Sequence, residues 1–185
     1  MPKVIPDLAA LKCLAHPRRQ LVLQQLTLHG PATSASLARA LDLNTGATSY
    51  HLRELARHGF VTDEPGRGRE RWWRAAGGDL RFPRRSEQSD ETRAVLDSVN
   101  RHAFAADLEL FERAQRQAHG EWRDAFPYSR GTIRLTAGEL NEFFEDFIAL
   151  LDRYKRPEAE TPAGARTVRT QLLAFPAPDS EDDDS

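Results

Sequence analysis

The segment between Asn44 and Gly59 carries hydroxyl groups, an aromatic ring and guanidinium groups at a helical spacing. On a helix, Thr48, Leu52 and Leu55 form one apolar stripe at i, i+4 and i+7. The opposite face then presents groups that can hydrogen-bond base edges when a helix enters the major groove of DNA. The predicted base contacts are Thr45, Gly46, Ser49, Tyr50 and Arg53.

Several arginines on this segment and elsewhere in residues 18–69 can bind phosphate groups. Pro65-Gly66-Arg67-Gly68 is typical of a turn, and it separates two strand-like runs, 60–62 and 71–74. A narrow loop with arginines can enter a minor groove or bind phosphates. The predicted contacts to the DNA backbone, including this wing, are Arg18, Arg19, Arg57, Arg67 and Arg69.

The net charge of −2 hides opposite balances in the two halves of the chain. Residues 1–85 hold 14 Lys/Arg and 7 Asp/Glu, whereas residues 86–185 hold 12 and 21. A basic half joined to an acidic half indicates a polyanionic partner for the basic half. The second half stays acidic when the run 179–184 is set aside.

Four helices are expected to position these groups. They cover residues 7–15, a second run from Pro17 to the Gly30-Pro31 stop, a very short third helix capped by Ser34, and residues 45–58 capped by Asn44. Leu21, Val22 and Leu26 give the second helix its apolar face. Two short helices with a tight turn and a basic hairpin after them describe a winged helix-turn-helix.

Residues 8–75 resemble the DNA-binding domain of ArsR-type transcriptional regulators. The resemblance is carried by LAHPRR at 14–19, SYHLREL at 49–55 and GFV at 59–61. It implies a homodimer whose recognition helices read successive major grooves of an imperfect palindrome, usually as a repressor.

The chain departs from metal-sensing members of that family, which often place paired cysteines near the recognition helix. Its single cysteine, Cys13, excludes an intrachain disulfide and is expected to be a small buried or half-buried side chain and not a sensor thiol. On the long helix, His102 and Glu109 lie at i, i+7, and so do Glu112 and His119, so neither pair forms a compact i, i+4 chelate. We therefore expect no metal and no cofactor.

A long helix is predicted from about Ser89 to Gly120. Small and apolar residues at 3-4-3-4 spacing form a seam typical of a helix packed on a partner. These are the predicted dimer-interface residues, Leu96, Val99, Ala103, Ala106 and Leu110. The alternative is that the seam packs on its own chain.

The last part of the chain predicts a strand–helix–strand unit. Strands are expected over 132–135 and 166–175, and a capping box at Thr136 and Glu139 begins the helix between them. The helix has a wide apolar face. The aromatic residues of this region form either a pocket for a small hydrophobic effector or simply a core: Trp122, Phe126, Tyr128, Phe143, Phe144 and Phe147.

These observations together predict a mainly α fold with small β elements. A winged helix-turn-helix domain spans 7–80, a long dimerisation helix 86–120, a C-terminal α/β unit 121–176 and an acidic disordered tail 177–185; residues 1–6 are also expected to be disordered. The chain shows no apolar run long enough to span a membrane and no signal peptide, so a cytoplasmic location is expected.

The predicted function is a sequence-specific transcriptional regulator, an ArsR-like repressor that binds double-stranded DNA as a homodimer. The alternative is a winged-helix module that binds protein without specific DNA binding. An enzyme is not expected, since the sequence lacks a nucleophile elbow, a Gly-rich phosphate loop, HExxH and a convergent acid–base set.

Overall fold

A computed structural model describes residues 3–4, 8–64, 70–77 and 80–178, which fall into two compact units, 1–126 and 127–185. The first unit contains β1 (Lys3–Val4), α1 (Leu8–Leu14), α2 (Pro17–His29), β2 (Ala32–Thr33), α3 (Ser34–Ala40), α4 (Thr45–Arg57), β3 (Val61–Glu64), β4 (Trp72–Ala75), β5 (Leu80–Arg81) and α5 (Asp90–Gln117). Short 3₁₀ turns lie at Arg85–Glu87 and Gly120–Trp122.

The predicted helices and hairpin of the winged domain are confirmed. Strands β3 and β4 form an antiparallel hairpin in which Val61 pairs with Ala75 and Glu64 with Trp72. Strand β2 adds to the other edge of β4 and gives a three-stranded sheet in the order β2-β4-β3. Helices α3 and α4 with this hairpin make a winged helix-turn-helix. The tip of the wing, including Arg67 and Arg69, lies outside the described residues.

Pairings between distant segments were not predicted. Disorder was expected over residues 1–6, yet Lys3 and Val4 form β1, which pairs in parallel with β5. That prediction is therefore wrong for these two residues. A strand of two residues has no alternating pattern that a sequence could reveal, and its stability depends on a backbone partner far along the chain.

The short helix α3 begins one residue earlier than the predicted cap implies. Thr33, not Ser34, is the N-cap, and its Oγ1 accepts a hydrogen bond from the Ser36 amide at 3.2 Å. The Ser36 hydroxyl in turn accepts from the Thr33 amide at 3.0 Å, which completes a capping box. Thr33 takes this role because its backbone is extended, whereas Ser34 is already helical.

The core of the winged domain lies between α1, α2, α4, the sheet and the start of α5. Val22 and Leu26 of α2 are buried there, but Leu21, which was predicted beside them, is 40% exposed. Val22 and Leu26 share a face at i, i+4, and Leu21 lies one position to the side of it. The apolar stripe of α2 is therefore narrower than the sequence suggested.

Helix α5 confirms the predicted long helix after the winged domain, with Ser89 as its N-cap. Leu96 and Val99, two of the residues predicted at a dimer interface, pack on their own chain, and their part in a dimer stays a prediction. Both are 7% exposed within one chain because they belong to the same core cluster as Leu11 and Leu14 of α1. They have almost no apolar surface left to bury against a second copy.

The second unit contains α6 (Ala137–Tyr154) and a 3₁₀ turn at Glu158–Glu160. The predicted capping box is confirmed, since Thr136 and Glu139 bond each other reciprocally. The two predicted strands of the C-terminal unit are wrong: residues 132–135 and 166–175 pair with no strand in the described part of the chain. A strand needs a neighbouring strand as well as β-prone residues, and the described residues offer neither run a strand to pair with.

None of the described residues in 127–178 is buried. Trp122 and Phe126 belong to the first unit, where Phe126 meets Phe111 edge-on with ring centroids 5.9 Å apart. Tyr128, Phe143 and Phe144 belong to the second unit and are exposed. The effector pocket therefore stays a prediction. No helix among the described residues combines the length and apolar character that a membrane crossing needs.

Candidate nucleic-acid interface

Helix α4 separates its side chains into a buried face and an outer face, as the periodicity predicted. Thr48, Leu52 and Leu55 are 0% exposed. On the opposite side, Gly46, Tyr50, Arg53 and Arg57 are exposed, and Ser49 is half-buried at the flank. Thr45 is also exposed, but it lies three residues before Thr48 and begins the helix on the side of the buried stripe. The outer face therefore offers a hydroxyl, a phenol and two guanidiniums to one ligand surface.

The start of α4 is held by Asn44. Its Oδ1 accepts hydrogen bonds from the amides of Gly46 at 2.7 Å and Ala47 at 3.3 Å. A Cβ on residue 46 would lie 3.1 Å from that same Oδ1, which is tighter than an ordinary contact. Glycine at this position thus preserves the cap, and it also leaves backbone uncovered at the outer end of the helix.

The two outward arginines of α4 differ in their surroundings. Arg57 pairs with Glu54 at 3.2 Å along the helix, but its side chain remains 73% exposed and free to move. Among the described residues Arg53 has no ion-pair partner, and it is exposed. An exposed guanidinium without an internal partner keeps all five donors for a ligand.

The two arginines at the start of α2 also differ. Arg18 is exposed, as a phosphate contact requires, whereas Arg19 is half-buried with its Nε shielded from solvent. Arg19 lies close enough to Cys13 to hydrogen-bond the thiol. A backbone contact by Arg18 therefore needs no rearrangement, and one by Arg19 needs its side chain to turn outward.

Cross-strand ion pairs stiffen the base of the wing, which the sequence reading missed. Arg71 Nε donates to Asp63 at 2.9 Å, and the Arg71 guanidinium lies 4.2 Å from the ring centroid of Trp73. Arg74 bonds both carboxylate oxygens of Glu64, at 2.9 and 3.2 Å. Asp63 and Glu64 precede the turn and Arg71 and Arg74 follow it, so this alternation of sign across the hairpin is the signal that was available.

His16 and His51 form a second feature that the sequence reading missed. Their ring centroids are 4.8 Å apart, and His51 is only 5% exposed although it lies on α4. Burial lowers the pKa of both imidazoles, and Arg19 and Arg18 lower it further; for His51, His16 also contributes. Position 51 lies at i+3 from Thr48 and i−4 from Leu55, so the same periodicity placed it on the buried stripe.

Cys13 is buried, as predicted, and its thiol donates to the Glu54 carbonyl at 3.7 Å. Burial raises the pKa of this thiol, which keeps it protonated at neutral pH. In the described ranges, no three or more His, Cys, Asp or Glu side chains are grouped in a way that could hold a metal ion.

Part of the chain is similar to known proteins. A family described as "Helix-turn-helix domain" matches residues 14–64. Reduced HlyU from Vibrio cholerae is 24% identical, with 50% of this chain and 83% of that chain covered and a TM-score of 0.33. The homodimeric winged helix-turn-helix DNA-binding domain of Mb0332 from Mycobacterium bovis, described as a possible ArsR-family regulator, is 22% identical, with 61% and 85% covered and a TM-score of 0.37.

ZitR from Lactococcus lactis is 11% identical, with 78% of this chain and 86% of that chain covered and a TM-score of 0.31. No curated protein matches the chain. The matched segment runs from the end of α1 through α4 to the end of β3. The chain therefore contains a helix-turn-helix domain, and α4 is its second helix.

Proposed function

We propose that this protein is a sequence-specific DNA-binding transcriptional regulator, and that it acts as an ArsR-like repressor. The division of α4 carries this proposal: a fully buried stripe fixes the helix, and its outer face gathers polar and cationic groups at one surface. A helix-turn-helix places such a second helix in the major groove with its N-terminal residues at base edges.

Each outer residue has a role that follows from its chemistry. Arg53 donates in a bidentate fashion to guanine, which is the commonest specific contact in the major groove. Tyr50, Ser49 and Thr45 hydrogen-bond neighbouring bases, and Gly46 allows a close approach of the backbone. Phosphates are held by the predicted contacts to the DNA backbone, namely Arg18, Arg19, Arg57, Arg67 and Arg69.

A homodimer forms through the second half of α5 in this proposal. Ala103, Ala106 and Leu110 are half-buried, so they retain surface that a second copy can cover. Phe104 and Leu108 on the same half of the helix are 40% and 60% exposed, and they lie one turn apart, so they form one continuous apolar patch. Two copies then present two α4 helices to an imperfect palindrome in the cytoplasm.

The proposal also includes a small hydrophobic effector that regulates DNA binding. The exposed aromatic residues of the second unit, Tyr128, Phe143 and Phe144, would contact a small hydrophobic effector. Their exposure leaves apolar surface that a ligand of that chemistry can bury.

The experiment is a titration of the full chain against a duplex from its own upstream region and against a scrambled duplex. The mass in solution is recorded alongside, and the titration is done at about 50 and 200 mM salt. We expect a dimer that binds only the first duplex tightly. Six to ten phosphate contacts would weaken that binding roughly 10³- to 10⁵-fold between the two salt concentrations.

Two outcomes would contradict the proposal. Equal binding to both duplexes would remove sequence specificity. Binding that does not depend on salt, or no binding at low salt, would favour the alternative of a winged-helix module that recognises protein.

A further inference from the structure

The pair formed by His16 and His51 joins the start of α2 to the middle of α4. His16 is the N-cap residue of α2 but makes no capping hydrogen bond with its side chain. The Nδ1 atoms of both rings are buried and have no hydrogen-bond partner among the described residues. The two helices are therefore held together here by ring contact and not by hydrogen bonds.

The other polar groups around the pair are also unsatisfied. Arg19 Nε and Gln20 Nε2 are buried and have no partner in the described part of the chain. They lie three and four residues after His16, so on α2 they share its side of the helix. Buried polar groups without partners destabilise a packed interface, which makes this contact easier to open than the apolar core beside it.

The charges that act on the pair are all positive. Arg18 and Arg19 of α2 lower the pKa of both rings, and each element packed against α4 adds no carboxylate to that influence. On α1 the neighbouring group is the neutral Cys13 thiol, which also senses Glu54 and Arg57 of α4. On α3 the charged residue is the exposed Arg39, and on β3 Asp63 and Glu64 are paired with wing arginines.

We propose that the neutral His16–His51 pair holds the recognition helix α4 in place and that protonation of either ring loosens it, so that DNA binding weakens as the pH falls. The loosening of α4 is inferred from the contact between the two histidine rings and does not depend on DNA binding. Its effect on DNA rests on the proposed function.

The step is the transfer of one proton from solvent to an imidazole nitrogen. The resulting imidazolium lies in a desolvated position against a second imidazole and near Arg19. At His16 it would also lie at the positive end of the α2 dipole. Desolvation, like charge and the helix dipole oppose the charged form, and at His16 they outweigh a hydrogen bond to its own backbone that favours it. Opening the contact therefore accommodates the charge.

The direction of the pH dependence follows from the lowered pKa values. Below the ordinary histidine pKa of 6.5 the unfolded chain binds more protons than the folded chain. Stability is therefore complete above about pH 6.5 and is lost as the pH falls through the lower pKa of the folded state.

The first test is a titration of the histidine ring signals of the full chain by NMR between about pH 8 and pH 5. We expect His16 and His51 to titrate below the ordinary histidine value of 6.5, and the protection factors of the amides in α4, which correct for the slower intrinsic exchange at lower pH, to fall as they do. Titration of both rings at or above 6.5, or unchanged protection factors in α4, would overturn the proposal. This measurement needs neither DNA nor a variant.

The second test compares His16→Gln and His51→Gln with the control His29→Gln, which makes the same change at the exposed end of α2. DNA affinity and the unfolding midpoint are measured over the same pH range. We expect the affinity of the unchanged chain to fall by up to about tenfold per pH unit for each proton taken up. Both pair variants should flatten this fall, and the control should keep it.

Equal pH slopes in the pair variants and the control would contradict the proposal. If His51→Gln does not fold, His16→Gln and the NMR titration still test the proposal. His16 is the less buried of the two residues, so its replacement disturbs the core less. Should the chain bind no duplex at any pH, the proposed function fails. The ring titration and the unfolding data then test only the claim that protonation of the histidine pair loosens α4.

Discussion

Helices α4 and α6 have similar local sequence features but different surroundings. Asn44 caps α4, and a complete capping box at Thr136 begins α6, which also has the wider apolar face. Leu52 of α4 is nevertheless 0% exposed, whereas Phe143 and Phe144 of α6 are 39% and 42% exposed. Local signals therefore decide whether a helix forms, and the elements packed around it decide whether its apolar face is buried.

This difference has a functional side. The stripe of α4 is enclosed by α1, α2, α3 and β3, so its outer face has one fixed orientation. That is what a constellation of base-reading groups requires. Helix α6 has no buried residue, and its surface is suited to acquiring a partner and not to presenting a preformed site.

The largest difference in the free energy of unfolding should come from truncating one side chain on the apolar face of α4 and one on that of α6. Leu52→Ala removes a fully buried side chain and should lower the free energy of unfolding by about 2–5 kcal/mol. Phe144→Ala on α6 should change it by less than about 0.5 kcal/mol. Urea unfolding followed by the fluorescence of the three tryptophans, Trp72, Trp73 and Trp122, and by far-UV circular dichroism measures both. A loss at Phe144 as large as that at Leu52 would show that the face of α6 is covered in solution.

The two helix caps should give the next largest effect. Asn44→Ala should lower the stability of the winged domain by about 1 kcal/mol, because two amides at the start of α4 lose their acceptor. Thr136→Ala should reduce far-UV helicity without moving the unfolding midpoint of that domain. The matched controls Asn44→Asp and Thr136→Ser keep an acceptor oxygen. Loss of stability in Asn44→Asp as large as in Asn44→Ala would exclude the cap as the cause.

The smallest effect should come from the ion pair that links α1 to α5. Lys12 Nζ lies 2.6 Å from a carboxylate oxygen of Glu91, with both side chains more than half exposed. Lys12→Met should cost at most about 1 kcal/mol at low salt, and this loss should vanish at high salt. Lys155→Met removes the comparable pair with Asp152 on α6 and should leave the winged domain unchanged. A loss that persists at high salt would contradict an electrostatic link.

The parts of the fold that depend on local pattern could be predicted from the sequence. The two faces of α4 follow from the 3.6-residue period, and the caps at Asn44 and Thr136 follow from residue types at fixed offsets. The hairpin follows from aromatic runs around a Pro-Gly turn. These features need no information from distant segments.

The parts that depend on distant partners could not be predicted. The pairing of β1 with β5 joins opposite ends of the winged domain, and the strand-like run 166–175 forms no strand in the part of the chain that the structure describes. Leu96 and Val99 fit a dimer seam equally well until α1 is seen packed against them. His16 and His51 meet only because α2 lies across α4, so their contact is visible in the structure alone.

The central claim is that the outer face of α4 reads base edges. The measurement that tests it most directly is the ratio of affinities for the upstream and scrambled duplexes in Arg53→Ala, with Arg116→Ala on α5 as the exposed control. We predict that Arg53→Ala loses about 1–3 kcal/mol for the upstream duplex and little for the scrambled one, so the ratio falls. An unchanged ratio in Arg53→Ala, or an equal fall in the control, would contradict the account.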